Sequence, residues 1–281
     1  MARAMKLRAP AKVNLQLRVH GGRADGFHDI ETLIVPISLA DEITVETSLG
    51  RTVRISCDDP NVPEGQNNLA AAAAHEYSRH TGLQFGAHIG IRKCIPMGAG
   101  LAGGSSDAAA VLIALDAIFQ TRLGVEGLEM VAAKVGSDVP FFIRSVPAIC
   151  RGRGDIIQPF NVPGKMRLLL LKPPFGVETA WAYKAWAASH ALPDGLEDEQ
   201  DLGGIKVFNS LERPVFEKFL VLPVMKDWLI RQPEVRAAAM SGSGSTLFAV
   251  LKEDTWSPDL EERVKARFGD TLWTALCDAP A

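Results

Sequence analysis

The stretch PMGAGLAGGSSDAAA, residues 96–110, places four glycines and two serines directly before an alanine-rich run. The preceding residues, AHIGIRKCI at 87–95, are typical of a strand, and apolar residues recur at helical spacing over 105–123. We expect Ser105 or Ser106 to cap that helix. The first amides of a helix lack intrahelical partners and carry partial positive charge, and glycines let a ligand approach the backbone closely. The stretch therefore predicts a phosphate-binding loop.

Two other interpretations of this loop stay open on its residues alone. A glycine-rich stretch by itself is as often a plain connection as a ligand loop. Gly98, Gly100 and Gly103 match the GxGxxG spacing of dinucleotide-binding oxidoreductases, but a lone match is a weak signal, and no clear ribose-binding acidic residue follows in a βαβ context. The loop also lacks the GxxxxGKS/T pattern, so it is not the common nucleotide loop.

The composition argues against several classes of protein. With 30 Lys and Arg against 33 Asp and Glu among 281 residues, the chain has no broad basic field for nucleic acid or anionic lipid. Its four cysteines form no CxxC pair, which argues against a zinc or thiol-redox site and favours reduced thiols. The apolar segments suit neither a secretory signal nor a bilayer span. We expect a cytoplasmic protein without nucleic-acid or membrane partners.

Secondary-structure signals suggest two α/β units. The segments VNLQLRV, ETLIVPI, EITVETS and TVRISC predict strands in the first 57 residues, and residues 67–82 predict a helix that ends at Gly82. Glycine and proline gather over 151–166, which makes that segment the best candidate for an interdomain connection. The second unit is expected to open with RLLLLKP. Near its end, VRAAAMSGSGSTLFAVLK predicts a glycine turn followed by a strand.

Three motifs, in order, resemble those of the GHMP kinases. APAKVNL at 9–15 resembles their first motif, the glycine-rich stretch resembles their phosphate loop, and SGSGSTLF at 241–248 resembles their third motif. Within the family, RADGFHDIETL at 23–33 and GSDVPFF at 136–142 resemble the branch that acts on a cytidine-linked alcohol, 4-diphosphocytidyl-2-C-methyl-D-erythritol. The resemblance runs over nearly the whole chain, and five ordered motifs are far more specific than any one of them.

The resemblance implies an α+β fold with two domains. Residues 1–158 would form the N-terminal ATP-binding domain, which is ribosomal-protein-S5-domain-2-like and contains an unusual left-handed βαβ unit. Residues 159–281 would form the C-terminal α/β sandwich domain, which closes over the substrate. The active site would lie in the cleft between the two.

The implied reaction is transfer of a phosphoryl group from ATP, accompanied by Mg²⁺, to the 2-hydroxyl of that alcohol, which gives its 2-phosphate and ADP on the non-mevalonate route to isoprenoids. No magnesium ligand set is evident in the sequence, and the enzyme would be a monomer or homodimer. The residues implied to hold the ATP phosphates are Pro96, Met97, Gly98, Ala99, Gly100, Leu101, Ala102, Gly103, Gly104, Ser105 and Ser106. By resemblance, Asn68 and Lys93 lie near the adenine.

Two residues are implied to be catalytic. Asp138 of GSDVPFF would be the general base, and Lys12 of APAKVNL would orient it and the acceptor hydroxyl. Taken alone, Asp138 would more often be a helix cap or a turn residue, and Lys12 a solvated strand lysine. Their occurrence together with the phosphate loop reverses both interpretations.

Substrate contacts are expected at five positions. Asn14 shares a strand face with Lys12, because side chains two residues apart point the same way. In the DGFH turn, Phe27 would stack on the cytosine and His28 would hydrogen-bond it, whereas such a turn taken alone is more often a packing feature. Thr179 and Tyr183 are one helical turn apart and would also face the base. Core packing is an equally good interpretation of Tyr183.

The chain departs from the usual family pattern at three positions. Phe27 stands where many relatives have Tyr, Ala102 where many have Gly, and Asp107 where many have Asn. A carboxylate in the first turn suits the helix dipole but would repel phosphates if it faced them. We expect Asp107 to point away from the phosphates.

Two alternative functions remain. The chain would act on another small molecule, such as homoserine or a sugar, if the DGFH turn is not a base pocket. It would be a catalytically silent nucleotide-binding relative if Lys12 and Asp138 do no chemistry. The stacking surface argues against the first alternative, and the presence of Lys12, Asp138 and the complete loop argues against the second.

Overall fold

The computed structural model describes residues 3–192, 196–252 and 259–280, apart from the side chain of Gln66. The chain forms two compact units. The first contains the chain up to Ala11, Leu39–Met97 and Ala102–Val146, and the second contains Lys12–Ser38, Gly98–Leu101 and the chain from Pro147 onward. No helix of the described residues is long and apolar enough to cross a membrane.

Strands and helices alternate irregularly along the chain, as expected of an α+β fold. The strands are β1 (Ala4–Gly22), β2 (His28–Ser48), β3 (Val53–Cys57), β4 (Gly86–Arg92), β5 (Ala148–Gly152), β6 (Ile156–Pro159), β7 (Met166–Lys172), β8 (Gln200–Asp201), β9 (Lys206–Asn209), β10 (Val235–Met240), β11 (Leu247–Leu251) and β12 (Trp273–Ala279). The helices are α1 (Leu69–Thr81), α2 (Gly103–Phe119), α3 (Gly124–Ala132), α4 (Val139–Arg144), α5 (Thr179–Trp186), α6 (Glu212–Lys218), α7 (Val221–Ile230) and α8 (Asp259–Phe268).

The first unit contains a βαβ unit made of β3, α1 and β4. Strands β3 and β4 pair in parallel, and β4 pairs antiparallel with residues 42–48 of β2. The predicted helix is confirmed at both of its ends. The side chain of Asn68 accepts a hydrogen bond from the amide of Ala70, and Gly82 closes the helix in the left-handed conformation, which glycine adopts without steric cost.

Helix α2 begins two residues before the predicted cap, so the prediction that Ser105 or Ser106 caps it is wrong. The residue before the helix is Ala102, which lies in the left-handed region at φ 56° and provides no side-chain cap. The helix therefore starts directly at Gly103 and Gly104. Its first amides lie in the glycine-rich stretch itself.

The second unit contains two groups of paired strands. Residues 30–34 of β2 pair antiparallel with β5, which pairs with β6, while β1 pairs in parallel with β9 at Gln16 and Leu17. The other sheet has the order β10-β11-β7-β12 and is antiparallel throughout. The glycine turn predicted near residue 241 lies between β10 and β11, as expected.

Strand β7 forms the centre of the second unit's core. Leu168, Leu169, Leu170 and Leu171 are all fully buried. Because successive side chains of a strand point to opposite faces, both faces of β7 are covered. Apolar residues of α6, α7 and α8 belong to the same core cluster as Leu169 and Leu171.

Two features differ from the sequence prediction. The separately predicted strands ETLIVPI and EITVETS form one continuous strand, β2, since Ser38 to Asp41 between them keeps the extended conformation. Residues 151–166, predicted as a connection, include the end of β5 and all of β6, which pair antiparallel. The domain limit at residue 158 stays a prediction.

Candidate active site

The glycine-rich stretch contacts the third glycine-rich motif within the second unit. Gly98 and Gly100 have positive φ angles of 59° and 73°. A Cβ atom on Gly100 would lie 2.1 Å from the carbonyl oxygen of Ser241 and 3.0 Å from that of Gly244. Position 100 therefore requires glycine for two reasons, its backbone conformation and the close approach of residues 241–244.

Lys12 is bound to this loop. It is 4% exposed, and its Nζ donates hydrogen bonds to Asn14 Oδ1 (2.6 Å) and to the carbonyl oxygen of Gly100 (2.7 Å). Its backbone amide also donates to the carbonyl oxygen of Leu101 at 3.2 Å. The predicted placement of Lys12 and Asn14 on one strand face agrees with their direct contact.

Serine hydroxyls tie the third motif to the same place. Ser241 Oγ donates to the carbonyl oxygen of Gly100 (3.0 Å) and accepts from the backbone amide of Asn14 (3.3 Å). Asn14 Nδ2 donates to Thr32 Oγ1 at 2.8 Å. At the N-terminus of α5, the hydroxyls of Thr179 and Ser243 lie 2.8 Å apart. The loop, Lys12, Asn14 and Thr179 are thus joined through the third motif.

Phe27 and His28 lie in and after the turn between β1 and β2, as predicted. The Phe27 ring is 50% exposed, and the guanidinium of Arg153 lies 4.8 Å from its centre. The His28 ring is 5.5 Å from the ring of Tyr183 and 6.3 Å from that of Trp186, centre to centre. Tyr183 and Trp186 also pack against the core cluster, so both interpretations of Tyr183 find support.

In the first unit, the start of α2 supplies the remaining loop residues. Ser106 is buried, and its hydroxyl has no hydrogen-bond partner among the described residues. The amides of the first helical turn have no partner within the helix. This end of α2 therefore offers donors suited to an anion.

Asp138 directly precedes α4 and is half-buried. Its side chain makes no capping hydrogen bond to that helix. The structural alternative of a helix cap therefore does not account for this carboxylate. Asp138 belongs to the first unit and Lys12 to the second, and their pairing stays a prediction.

The two residues predicted near adenine are engaged inside the first unit. Asn68 caps α1 through Oδ1, and its Nδ2 donates to the carbonyl oxygen of Pro63 at 2.9 Å. Lys93 Nζ contacts the carboxylate of Asp41 and lies 3.1 Å from Asp107 Oδ2. Burial lowers the pKa of Lys93, but the neighbouring carboxylates of Asp107 and Asp41 outweigh it and raise the pKa above its ordinary value. Contact with adenine stays a prediction for both residues.

Asp107 is 3% exposed and contacts Lys93. Burial is the largest cause that raises the pKa of Asp107, Lys93 lowers this pKa and Asp41 raises it, and the net result is a pKa of about 7. Its Oδ1 atom is buried and has no partner among the described residues.

Several residues at these sites were not singled out from the sequence. Ser241 and Ser243 lie in the third glycine-rich motif, but no local pattern predicts their contacts with Gly100 and Thr179. Trp186 lies one turn beyond Tyr183, so helical spacing offered a signal. No sequence signal indicates the role of Asp41, because an acidic residue inside a strand pattern usually faces solvent.

Family models match both halves of the chain. The model for the GHMP kinases N terminal domain matches residues 68–145, and the model for GHMP kinases C terminal matches residues 191–271. These matches cover the glycine-rich stretch, the GSDVPFF motif and the third glycine motif.

Proteins with similar sequences and structures narrow the family. The 4-diphosphocytidyl-2-C-methyl-D-erythritol kinase of Methylacidiphilum infernorum is 41% identical over 276 residues, which cover 95% of this chain and 94% of that protein. The enzyme of the same name from Syntrophotalea carbinolica is 36% identical, with 97% of each chain covered. A crystal structure of 4-(cytidine 5'-diphospho)-2C-methyl-D-erythritol kinase is 34% identical with a TM-score of 0.78 and covers 99% of this chain and 100% of its own.

A more distant structure shares the fold alone. Homoserine kinase from Cytophaga hutchinsonii is 18% identical, with a TM-score of 0.71 over 99% of this chain and 95% of its own. Two-domain α+β architecture is thus common to kinases with different acceptors. The chain belongs to the GHMP kinase family and, within it, to the 4-diphosphocytidyl-2-C-methyl-D-erythritol kinases.

Proposed function

We propose that this protein transfers a phosphoryl group from ATP to the 2-hydroxyl of 4-diphosphocytidyl-2-C-methyl-D-erythritol and releases the 2-phosphate and ADP. The observation that carries the proposal is the contact of Lys12 with Gly100 of the glycine-rich loop, next to the third glycine motif. A silent relative would have no need of a buried lysine fixed to the loop. Membership of the kinase family supports the same reaction.

Lys12 is proposed to position the acceptor and the transferred group. Burying an ammonium is costly unless it is hydrogen-bonded, and two bonds to Asn14 and Gly100 fix its orientation. Phosphoryl transfer depends mainly on alignment and charge stabilisation. The Lys12 ammonium, held at the loop, would align the reacting groups and stabilise their negative charge. Asn14 beside it would contact the acceptor hydroxyls.

Asp138 is proposed to accept the proton of the 2-hydroxyl. Its carboxylate is half-buried and is not used to cap α4, which leaves its oxygens available for a substrate proton. In this scheme the hydroxyl proton moves to a carboxylate oxygen of Asp138 as the bond between the hydroxyl oxygen and the γ-phosphorus forms, and the bond from that phosphorus to the bridging oxygen breaks to release ADP.

Phe27, His28, Thr179 and Tyr183 are proposed to recognise the acceptor. The exposed Phe27 ring offers a stacking face, while the neighbouring rings of His28 and Tyr183 offer an aromatic wall with polar edges. A nucleobase has both a flat face and hydrogen-bonding edges, which suits this combination.

Bound ATP supplies the phosphoryl group, and Mg²⁺ offsets its negative charge. Among the described residues, no cluster of three or more His, Cys, Asp or Glu side chains is placed to hold a metal ion. We propose that phosphate oxygens and water carry the ion, as Mg²⁺ often retains water ligands.

The remaining proposals concern organisation. We propose an N-terminal ATP-binding domain over residues 1–158 and a substrate-closing domain over 159–281, in a cytoplasmic monomer or homodimer. All four cysteines are free thiols, which suits a reducing compartment.

The test is ADP release by the purified protein with ATP and Mg²⁺. The acceptors compared are 4-diphosphocytidyl-2-C-methyl-D-erythritol, homoserine, mevalonate and galactose. Turnover with the cytidine compound alone is expected. Turnover with another acceptor would overturn the role of Phe27 and His28, and no turnover with any of the four would overturn the kinase assignment.

A further inference from the structure

Two buried acids and a partly buried lysine of the first unit, Asp41, Asp107 and Lys93, form a cluster that supports both ends of the glycine-rich stretch. Asp41 is fully buried on β2. Its Oδ1 accepts hydrogen bonds from the backbone amides of Cys94 (2.6 Å) and Ile95 (2.8 Å), the residues directly before Pro96. Asp41 thus fixes the backbone that enters the stretch.

Lys93 connects this support to the helix that leaves the stretch. Its Nζ contacts Asp41 Oδ2 and lies 3.1 Å from Asp107 Oδ2, in the second turn of α2. The same Nζ lies 3.2 Å from where a Cβ atom on Gly103 would be, so the ammonium lies against the first residue of the helix. The cluster therefore sets the distance between the end of β4 and the start of α2.

The cluster has two carboxyl groups for one ammonium. The charged groups that act on the Asp107 carboxyl are Lys93 and Asp41. Lys93 is shared with Asp41, and Asp107 Oδ1 has no partner among the described residues, although it is buried. A second carboxylate is costly here, because a buried charge is tolerated only when it is paired and hydrogen-bonded. Burial accordingly raises the pKa of Asp107 to about 7.

We propose that Asp41, Lys93 and Asp107 are positioning residues for nucleotide binding, and that Asp107 carries a proton when nucleotide is bound. The inference rests on the proposed function, since it takes the glycine-rich stretch as the nucleotide site. The neutral acid keeps its contact with Lys93 without adding negative charge near the phosphates. Asp107 then takes up a proton whenever nucleotide binds to protein in which it is ionised.

Proton uptake makes nucleotide affinity depend on pH. Above the pKa of free Asp107, each binding event must first protonate this carboxyl, so affinity falls as the pH rises. Asparagine has the shape of the neutral acid and cannot ionise. Asp107→Asn should therefore bind nucleotide with the low-pH affinity of the unchanged protein at every pH.

The test is calorimetric binding of ATP with Mg²⁺, without acceptor, between about pH 6.5 and 8.5. We expect the Kd of the unchanged protein to rise about 10- to 30-fold more over this range than the Kd of Asp107→Asn, because obligatory protonation of a group with a pKa of about 7 weakens binding nearly tenfold for each pH unit above that value. The nucleotide's own titration is common to both proteins and cancels. The control is Asp116→Asn, a change of the same type in α2 at a carboxylate bonded to Thr121 and Leu123, which should follow the unchanged protein.

A second measurement separates positioning from a purely structural role. At about pH 8.5, Asp107→Asn should lower the KM for ATP more than it changes kcat, since the variant restores the neutral state without touching the reacting groups. Circular dichroism verifies that each variant is folded. Equal pH dependence in Asp107→Asn and the unchanged protein would overturn the inference while leaving the kinase intact. Failure of the unchanged protein to bind ATP at any pH would instead overturn the proposed function.

Discussion

Two acid–lysine clusters, one in each unit, hold the backbone that leads into a glycine-rich segment. In the first unit, Asp41 accepts the amides of Cys94 and Ile95 before the phosphate loop. In the second, Glu212 Oε1 accepts the amide of Met240 (2.8 Å), directly before the third glycine motif. Both use a buried carboxylate to hold backbone that would otherwise have no partner.

The clusters differ in the number of acids for each lysine. Glu212 Oε2 accepts from Lys226 Nζ at 2.6 Å, and Lys226 also donates to the carbonyl oxygen of Leu196, so both Glu212 oxygens have partners. In the first unit, Lys93 serves two carboxyls and one oxygen of Asp107 has no partner in the described structure. A matched pair, with one carboxylate for one lysine as in Glu212 and Lys226, is suited to a structural role. A surplus acid, such as Asp107 beside a lysine that is shared with Asp41, gains or loses a proton as the pH changes.

The largest expected effect is on turnover, and it comes from Asp138, which belongs to neither cluster. Asp138→Asn should lower kcat about 10²- to 10⁴-fold, the usual size of general-base assistance, with nearly unchanged ATP binding. Steady-state kinetics and calorimetry measure the two quantities, and Asp116→Asn is the control. If turnover were unchanged, Asp138 would lose its proposed role, and the carboxyls of the clusters would become candidates.

Breaking the matched pair should cost stability rather than catalysis. Glu212→Gln leaves Lys226 as a buried cation without its counter-ion, which typically lowers the free energy of unfolding by about 3–5 kcal/mol. Urea unfolding of both proteins measures the difference.

The control for this prediction lies in the same region. Asp227 forms an exposed ion pair with Arg231 in α7 and the residue after it, and Asp227→Asn should cost less than about 0.5 kcal/mol. A similarly small loss of unfolding free energy in Glu212→Gln would mean that the buried pair stabilises the protein no more than an exposed pair does. It would contradict the structural role given to Glu212 and Lys226.

The surplus acid should give the first unit a pH-dependent stability. The folded-state pKa of Asp107, about 7, is above the ordinary value of 3.8. Stability from the protonated group is therefore fully present below about pH 4 and is lost as the pH rises through 7. Between about pH 5 and 7, the unfolding free energy of the unchanged protein should fall about 2 kcal/mol more than that of Asp107→Asn. Parallel pH curves from urea titrations would count against a protonated Asp107.

Local features of the fold were predictable from the sequence, and features set by distant contacts were not. Asn68 and Gly82 bound α1 where their chemistry predicts. The start of α2 was misplaced because Ala102 adopts a left-handed conformation that its residue type disfavours. The continuity of β2 likewise depends on pairing partners far along the chain.

The same division holds for the candidate sites. The proximity of Lys12 and Asn14 follows from strand periodicity and could be predicted. The contact of Gly100 with Ser241 joins residues 141 positions apart, and no local pattern encodes it. Asp107 illustrates both limits, since its departure from the family pattern was visible but its environment depends on Asp41 and Lys93.

The smallest predicted effect concerns the acceptor rather than the nucleotide. Phe27→Ala should raise the KM for the cytidine-linked acceptor about 2- to 10-fold, the range expected from losing one aromatic stacking contact. Because stacking acts in the ground and transition states alike, kcat should change little. Phe27→Tyr is the matched control, since it keeps the ring and should keep the KM.

The KM values of Phe27→Ala can be compared with those of Asp107→Asn to separate acceptor binding from nucleotide binding. Phe27→Ala should alter the KM for the acceptor and leave that for ATP unchanged, whereas Asp107→Asn should alter the KM for ATP at high pH and leave that for the acceptor unchanged. Such a crossed pattern requires two independent binding determinants. If Phe27→Ala raised both constants equally, the half-exposed ring would act through general stability, and the base pocket would have to be sought elsewhere in the chain.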